Sequence, residues 1–193
     1  MTWVAALCPL LWLAAFVAGR WVGLVPAIAA AAAVLTALAL VTDGRAILRL
    51  FRPTPRAALA GLAAAVALVA LPQLGFRLVA PHWPALASSA AGLYARFPQR
   101  DLLYGLVIGG VVFAEEIIWR GWVQNALRGR ILLSALVYAA AHVTSGSPLL
   151  VALALVLGAF WSWLRRFSGG LFAPALSHLA FDFAFLFVMP VGQ

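Results

Sequence analysis

Ala114-Glu115-Glu116-Ile117-Ile118-Trp119-Arg120 sets the only two glutamates of the chain side by side inside an apolar run over residues 102–123. A run of that length and composition crosses the hydrocarbon of a bilayer as a helix, where an ionisable side chain is expensive to insert and by default marks a functional site. Two adjacent carboxyls make the claim stronger.

Outward from this stretch the chain keeps the same character. It has 193 residues, 66% of them hydrophobic and 9% charged, with a mean hydropathy of +1.06, which leaves too little polar surface to coat a soluble globule. The fold class is therefore all-α, a polytopic transmembrane helical bundle forming one membrane domain. The net charge of +8 would suggest nucleic acid in a soluble domain, but here the arginines stand between apolar runs, where positive charge sets membrane topology. Nucleic-acid binding is set aside on that ground. Cys8 is the single cysteine, which excludes a disulfide framework and a thiolate metal cluster. Val17-Ala18-Gly19 is faintly like a signal-peptidase site, yet no Lys or Arg precedes the first apolar run, so a retained first helix is expected. All 13 basic residues are arginine, and alanine is abundant, a bias that suggests a GC-rich bacterial source.

About seven apolar runs could be membrane helices: 2–18, 21–42, 57–79, 102–127, 131–143, 149–164 and 171–189. The segment over residues 43–56 carries four arginines against one aspartate and a Pro-Thr-Pro break, and should face the cytoplasm. Alternation from there adds Arg128, Arg130, Arg165 and Arg166 to that side and gives a cytoplasmic N-terminus in a bacterial inner membrane. The segment 81–100, with Trp83, Tyr94, Arg96, Phe97 and Arg100, is expected to lie along the opposite interface as a short amphipathic helix. Ser88 and Ser89 are read as loop residues within it.

Polar groups on the apolar helices recur at one spacing. Glu116 and Arg120, Tyr138 and His142, and His178 and Asp182 each stand four apart, on one face of a helix. Adjacent residues point about 100° apart, so Arg120 partners Glu116 and leaves Glu115 facing elsewhere. A carboxyl without a counter-charge in low-dielectric surroundings suits a general base working near neutral pH. Glu115, His142 and His178 also lie 12 or 13 residues from the nearest arginine of the basic loops, roughly 18 to 20 Å along their helices. A common depth is what a convergent site needs, and the reading expects its cavity to open toward the cytoplasmic side. No serine or cysteine has a nucleophile's setting, and the zincin pattern is absent, although two histidines and a carboxylate from separate helices could bind zinc. Carboxylate-activated water remains. A non-catalytic scaffold, or a transport or immunity protein relaying protons through the same groups, is the alternative.

In this order, Glu115-Glu116-x-x-x-Arg120, Tyr138-x-x-x-His142 and His178-x-x-x-Asp182 resemble the motifs of the CaaX protease and bacteriocin-processing (CPBP, or Abi) intramembrane proteases. The resemblance covers about residues 102–189, leaving 1–101 as accessory helices, and takes in Ser168-Gly169-Gly170-Leu171 ahead of the last motif. It implies a glutamate-dependent endopeptidase with Glu115 as base, His142 assisting it, and His178 with Asp182 stabilising the oxyanion. Glu116, Arg120 and Tyr138 would support the site. No cofactor is implied, with zinc on Glu115, His142 and His178 as the lesser alternative. The substrate would be a membrane-anchored or hydrophobic peptide, such as a protein's C-terminal tail. Two departures stand out: Tyr138 replaces a common phenylalanine, and Asp182 replaces asparagine. An ionised aspartate cannot donate to an oxyanion, so Asp182 would be protonated or would orient His178.

Overall fold

The computed structural model describes residues 5–98 and 101–191, so Arg100 and the start of the first expected run lie outside the described residues. Among the described residues the structure is helical throughout, with no strand. Helices α1 (Leu7–Val22) and α2 (Leu24–Leu48) are joined at Gly23, whose φ of 90° a residue with a side chain rarely adopts. Then come α3 (Pro55–Val79), α4 (Pro84–Tyr94), α5 (Leu102–Ala126), α6 (Ile131–Ala140), α7 (Pro148–Ser168) and α8 (Phe172–Val188). Four of these, α2, α3, α5 and α7, are long and apolar enough to cross a membrane, and α1, α6 and α8 are shorter apolar helices. The seven expected helices thus divide into four full-length spans and three short ones in a multi-pass membrane protein.

Local chemistry sets the helix starts. Thr54 caps α3 by accepting from Ala57 N at 3.1 Å, with Pro55 at the first helical position. Asp101 caps α5 through Tyr104 N at 2.9 Å, and Ser147 caps α7 through Leu150 N at 3.3 Å, again with a proline following. The segment expected as a loop after residue 42 is instead helical to Leu48, with a kink where Asp43 leaves helical geometry (φ −134°) and accepts from Trp122 Nε1 at 3.0 Å. That partly buried bond ties α2 to α5. Ser88 and Ser89 are likewise helical, both hydroxyls donating back to Ala85 O within α4.

Hydrogen bonds that tie loops and helices together mark the two ends of the bundle. At the arginine-rich end, Leu171 N donates to Leu50 O at 2.8 Å and Arg165 Nη2 to Asn125 Oδ1 at 2.5 Å. At the opposite end, Thr144 Oγ1 donates to Leu13 O at 2.9 Å and Val191 N to Tyr94 Oη at 3.0 Å. Small residues allow close helix crossings, as is usual in membranes. On α3, a Cβ at Gly61 would stand 3.1 Å from the backbone of Ala173 on α8. The main core gathers Trp12, Phe16, Leu35, Trp119, Trp122 and Tyr138, and α1 thereby packs directly on the motif helices.

Candidate active site

Within α5, Glu115 ends the α-helical stretch Leu102–Glu115 and Glu116 begins a π-helical stretch, Glu116–Val123. Such wide turns occur mainly as local insertions at functional sites. Both glutamates are buried, at 9% and 0% exposure, and they point to different partners. Glu116 Oε1 lies 3.2 Å from Arg120 Nη1 and accepts from His178 Nδ1 at 2.8 Å. Glu115 turns to α6, where its Oε2 accepts from the Tyr138 hydroxyl. Each carboxylate is thus held through one oxygen, Glu116 by a guanidinium and an imidazole, with its buried Oε2 lacking a hydrogen-bond partner among the described residues, and Glu115 by a hydroxyl.

Tyr138 also fixes the first motif histidine. Its carbonyl faces His142 Nδ1 at 2.7 Å. A carbonyl only accepts, so Nδ1 carries the proton and Nε2 of the neutral ring is an acceptor. His142 lies just beyond the end of α6, its ring 4.5 Å from that of Tyr138 and 5.2 Å from that of Phe16, with Trp12 at 6.4 Å. On α8, His178 stacks on Trp161 with ring centroids 3.7 Å apart, and its Nε2 is 3.8 Å from Asp182 Oδ2, beyond hydrogen-bond range. The Arg120 guanidinium stands 4.5 Å over the Tyr138 ring and 5.2 Å from that of Trp161. Neither of its terminal nitrogens has a hydrogen bond among the described residues, so it acts as a charge clasped between two aromatic faces.

Residues 98–184 match the Rce1-like type II CAAX prenyl endopeptidases. The match encloses every motif residue from Glu115 to Asp182 and bears out the resemblance read from them. No curated protein and no solved structure matches the chain. The CAAX endopeptidase match supports a membrane protease of CAAX type acting on a membrane-associated peptide.

Glu115, Tyr138, His142, His178 and Asp182 border one cavity of about 420 Å³, so the residues expected to converge from three helices do so. The rest of its wall is apolar and extends to Leu86, Leu93, Phe97 and Val191. Those residues belong to the end opposite the arginine-rich loops, which reverses the expected direction of opening. Distance along a helix sets depth only, and α6 is so short that His142 already stands at its far end. As placed, no three His, Cys, Asp or Glu side chains among the described residues form a metal shell.

The CAAX endopeptidase motifs leave out part of the site. Trp161 stacks under His178, and Trp12 and Phe16 flank His142, yet none of the three was singled out from sequence. The available signal was the face Ala154, Leu157, Gly158 and Trp161, spaced three and four apart on α7 and buried. Gly158 on that face is where α7 meets Tyr138: an added Cβ would come within 2.8 Å of the Tyr138 ring. Gly158→Ala should therefore push the ring against Arg120 and His142 and cost about 1–3 kcal/mol. A lowered melting temperature in detergent is the expected result, and an unchanged one would show the α6–α7 contact to be slack.

Proposed function

We propose that this chain is an intramembrane endopeptidase that hydrolyses a peptide bond near a membrane-embedded or membrane-proximal segment, using water activated by Glu115 and His142. The observation that carries this reading is the double anchoring by Tyr138, whose hydroxyl holds one oxygen of Glu115 while its carbonyl sets the tautomer of His142. Glu115 and His142 both border the cavity, and Glu115 Oε1 and His142 Nε2 are then the acceptors left without a hydrogen-bond partner among the described residues. A water donating to both attacks the carbonyl carbon, its proton passes to Glu115, and Glu115 returns that proton to the leaving amine as the C–N bond breaks. His178 is the donor for the oxyanion. Three carboxyl groups, Glu115, Glu116 and Asp182, face one guanidinium here, and a proton held on the His178–Asp182 pair brings the cluster nearer neutrality and supplies that donor.

The apolar cavity wall suits a peptide that carries a lipid chain or an apolar tail. In a bacterial inner membrane, C-terminal anchoring tails, leader peptides and bacteriocin-like peptides fit this description. The positive-inside rule would place the arginine-rich end, where α1 begins, in the cytoplasm, and the cavity would then serve bonds in the outer half of the bilayer.

The reading is tested with purified protein and internally quenched peptides, anchored either by a farnesylated cysteine followed by three residues or by an apolar tail. Cleavage is expected, and it should persist after dialysis against a strong chelator. Zinc requires deprotonated ligands converging within about 2 Å of one point, a tighter arrangement than water activation demands. One equivalent of zinc whose removal abolishes cleavage, and whose return restores it, would overturn the mechanism and make Glu115, His142 and His178 metal ligands.

A further inference from the structure

A second cavity of about 430 Å³ opens at the end of the bundle opposite the arginine-rich loops, bordered by Arg20, Arg96 and Ser145. Arg20 comes from the last turn of α1 and Arg96 from the residues after α4, both outside the segment that matches the family. Their guanidiniums meet at one turn: Arg20 Nη2 donates to Thr144 O at 3.2 Å, and Arg96 Nη1 donates to Ser145 O. Each guanidinium has five N–H donors, and the turn takes one from each. Among the described residues neither arginine forms an ion pair, since the ion pairs found there are those of Glu116 and Asp182. Two neighbouring cations with spare donors and no counter-charge among the described residues present an anion site.

The place of this site relates it to the chemistry. The turn Val143–Ser145 follows His142 directly, and Ser145 N donates to His142 O at 3.0 Å. At about 2.0 Å of rise per residue in such a turn, Ser145 stands only about 6 Å beyond the histidine. Phe16 and Leu24 border both cavities, so the basic pocket shares walls with the reacting one. An extended peptide rises about 3.3 Å per residue, and two or three residues bridge the gap. The main cavity is bordered by two carboxyls, Glu115 and Asp182, that repel an anionic peptide end, while the arginines attract it.

We propose that Arg20 and Arg96 form a subsite for a carboxylate of the substrate peptide, two or three residues from the bond that is cut; the assignment rests on the endopeptidase reading above. Guanidinium forks bind carboxylates through paired, charge-assisted hydrogen bonds. The subsite orients the substrate, with its anionic end on the 143–145 turn and its apolar anchor in the main cavity. A free C-terminus and an Asp side chain offer the same chemistry.

The test uses the full chain in phosphatidylcholine nanodiscs and three fluorescent farnesyl-cysteine peptides with three residues after the cysteine. One is a free acid, one its C-terminal amide, and one an amide with Asp in the last position. Fluorescence anisotropy reads binding without turnover. The free acid is expected to bind at least about tenfold tighter than the plain amide. The Asp amide matches the acid if any carboxylate serves, and matches the plain amide if the terminus is required. In Arg20→Gln/Arg96→Gln the preference should fall to within about twofold. The single variants, each losing part of it, keep the result readable where the double variant folds poorly. Equal binding of acid and amide to the native chain, or no binding of any peptide, overturns the subsite. If cleavage of the quenched peptides continues in that case, the endopeptidase reading stands without it. A preference that vanishes when phosphatidylglycerol replaces part of the lipid assigns the arginines to phosphate headgroups and also overturns the proposal.

Discussion

Glu115→Gln is expected to slow cleavage of the quenched peptides by about 10²- to 10⁴-fold, the range of a general base, while the protein folds in native yield. The substitution keeps shape, and the glutamine carbonyl can still accept from the Tyr138 hydroxyl that holds Glu115. What it removes is the ability to take a proton from water and return it to the leaving amine. Initial rates measured beside melting temperatures separate the two properties. A chain using these groups only as scaffold would keep its function with glutamine there, and a rate within about tenfold of native would move the base role off Glu115. Glu116→Gln makes the contrast: that carboxylate faces Arg120 and His178 rather than open cavity, so its loss should lower stability as well as rate.

Much of this site could be read from local spacing, because helix geometry carries it. Residues four apart share a face wherever the helix packs, and so the Glu116–Arg120 contact and the placing of Tyr138 beside His142 were legible in advance. The opposed directions of the two glutamates followed from the angle between neighbours. Pairings across helices were not legible, since they depend on how each helix is rotated against the next. His178 was expected to work with Asp182, yet the nearer partner of its ring is Glu116 on α5, at 2.8 Å against 3.8 Å. The π-helical turn that begins at Glu116 adds to this, because a wider turn shifts the azimuth of every later residue. The contribution of α1 was hidden for a different reason. Trp12 and Phe16 are apolar residues in an apolar helix, and nothing in one sequence distinguishes a ring that faces lipid from one that packs on His142.

Removing the Arg120 side chain should be among the most destabilising single changes in the protein. Its exposure is 1% and that of Glu116 is 0%, so Arg120→Ala strands a carboxylate with His178 as its remaining charged partner. Breaking one side of a buried pair costs about 3–5 kcal/mol. The cavity left between Tyr138 and Trp161 adds to that loss, because the guanidinium fills the space between both rings. Arg120→Lys should recover only part, since a compact ammonium cannot cover two ring faces. The double variant Glu116→Gln/Arg120→Met removes the unpaired charge and refills the space, and should melt above Arg120→Ala while remaining slow in cleavage. Thermal melts in detergent and folded yield measure all three. Native yield and melting temperature in Arg120→Ala, with cleavage alone lost, would instead place the guanidinium on the substrate.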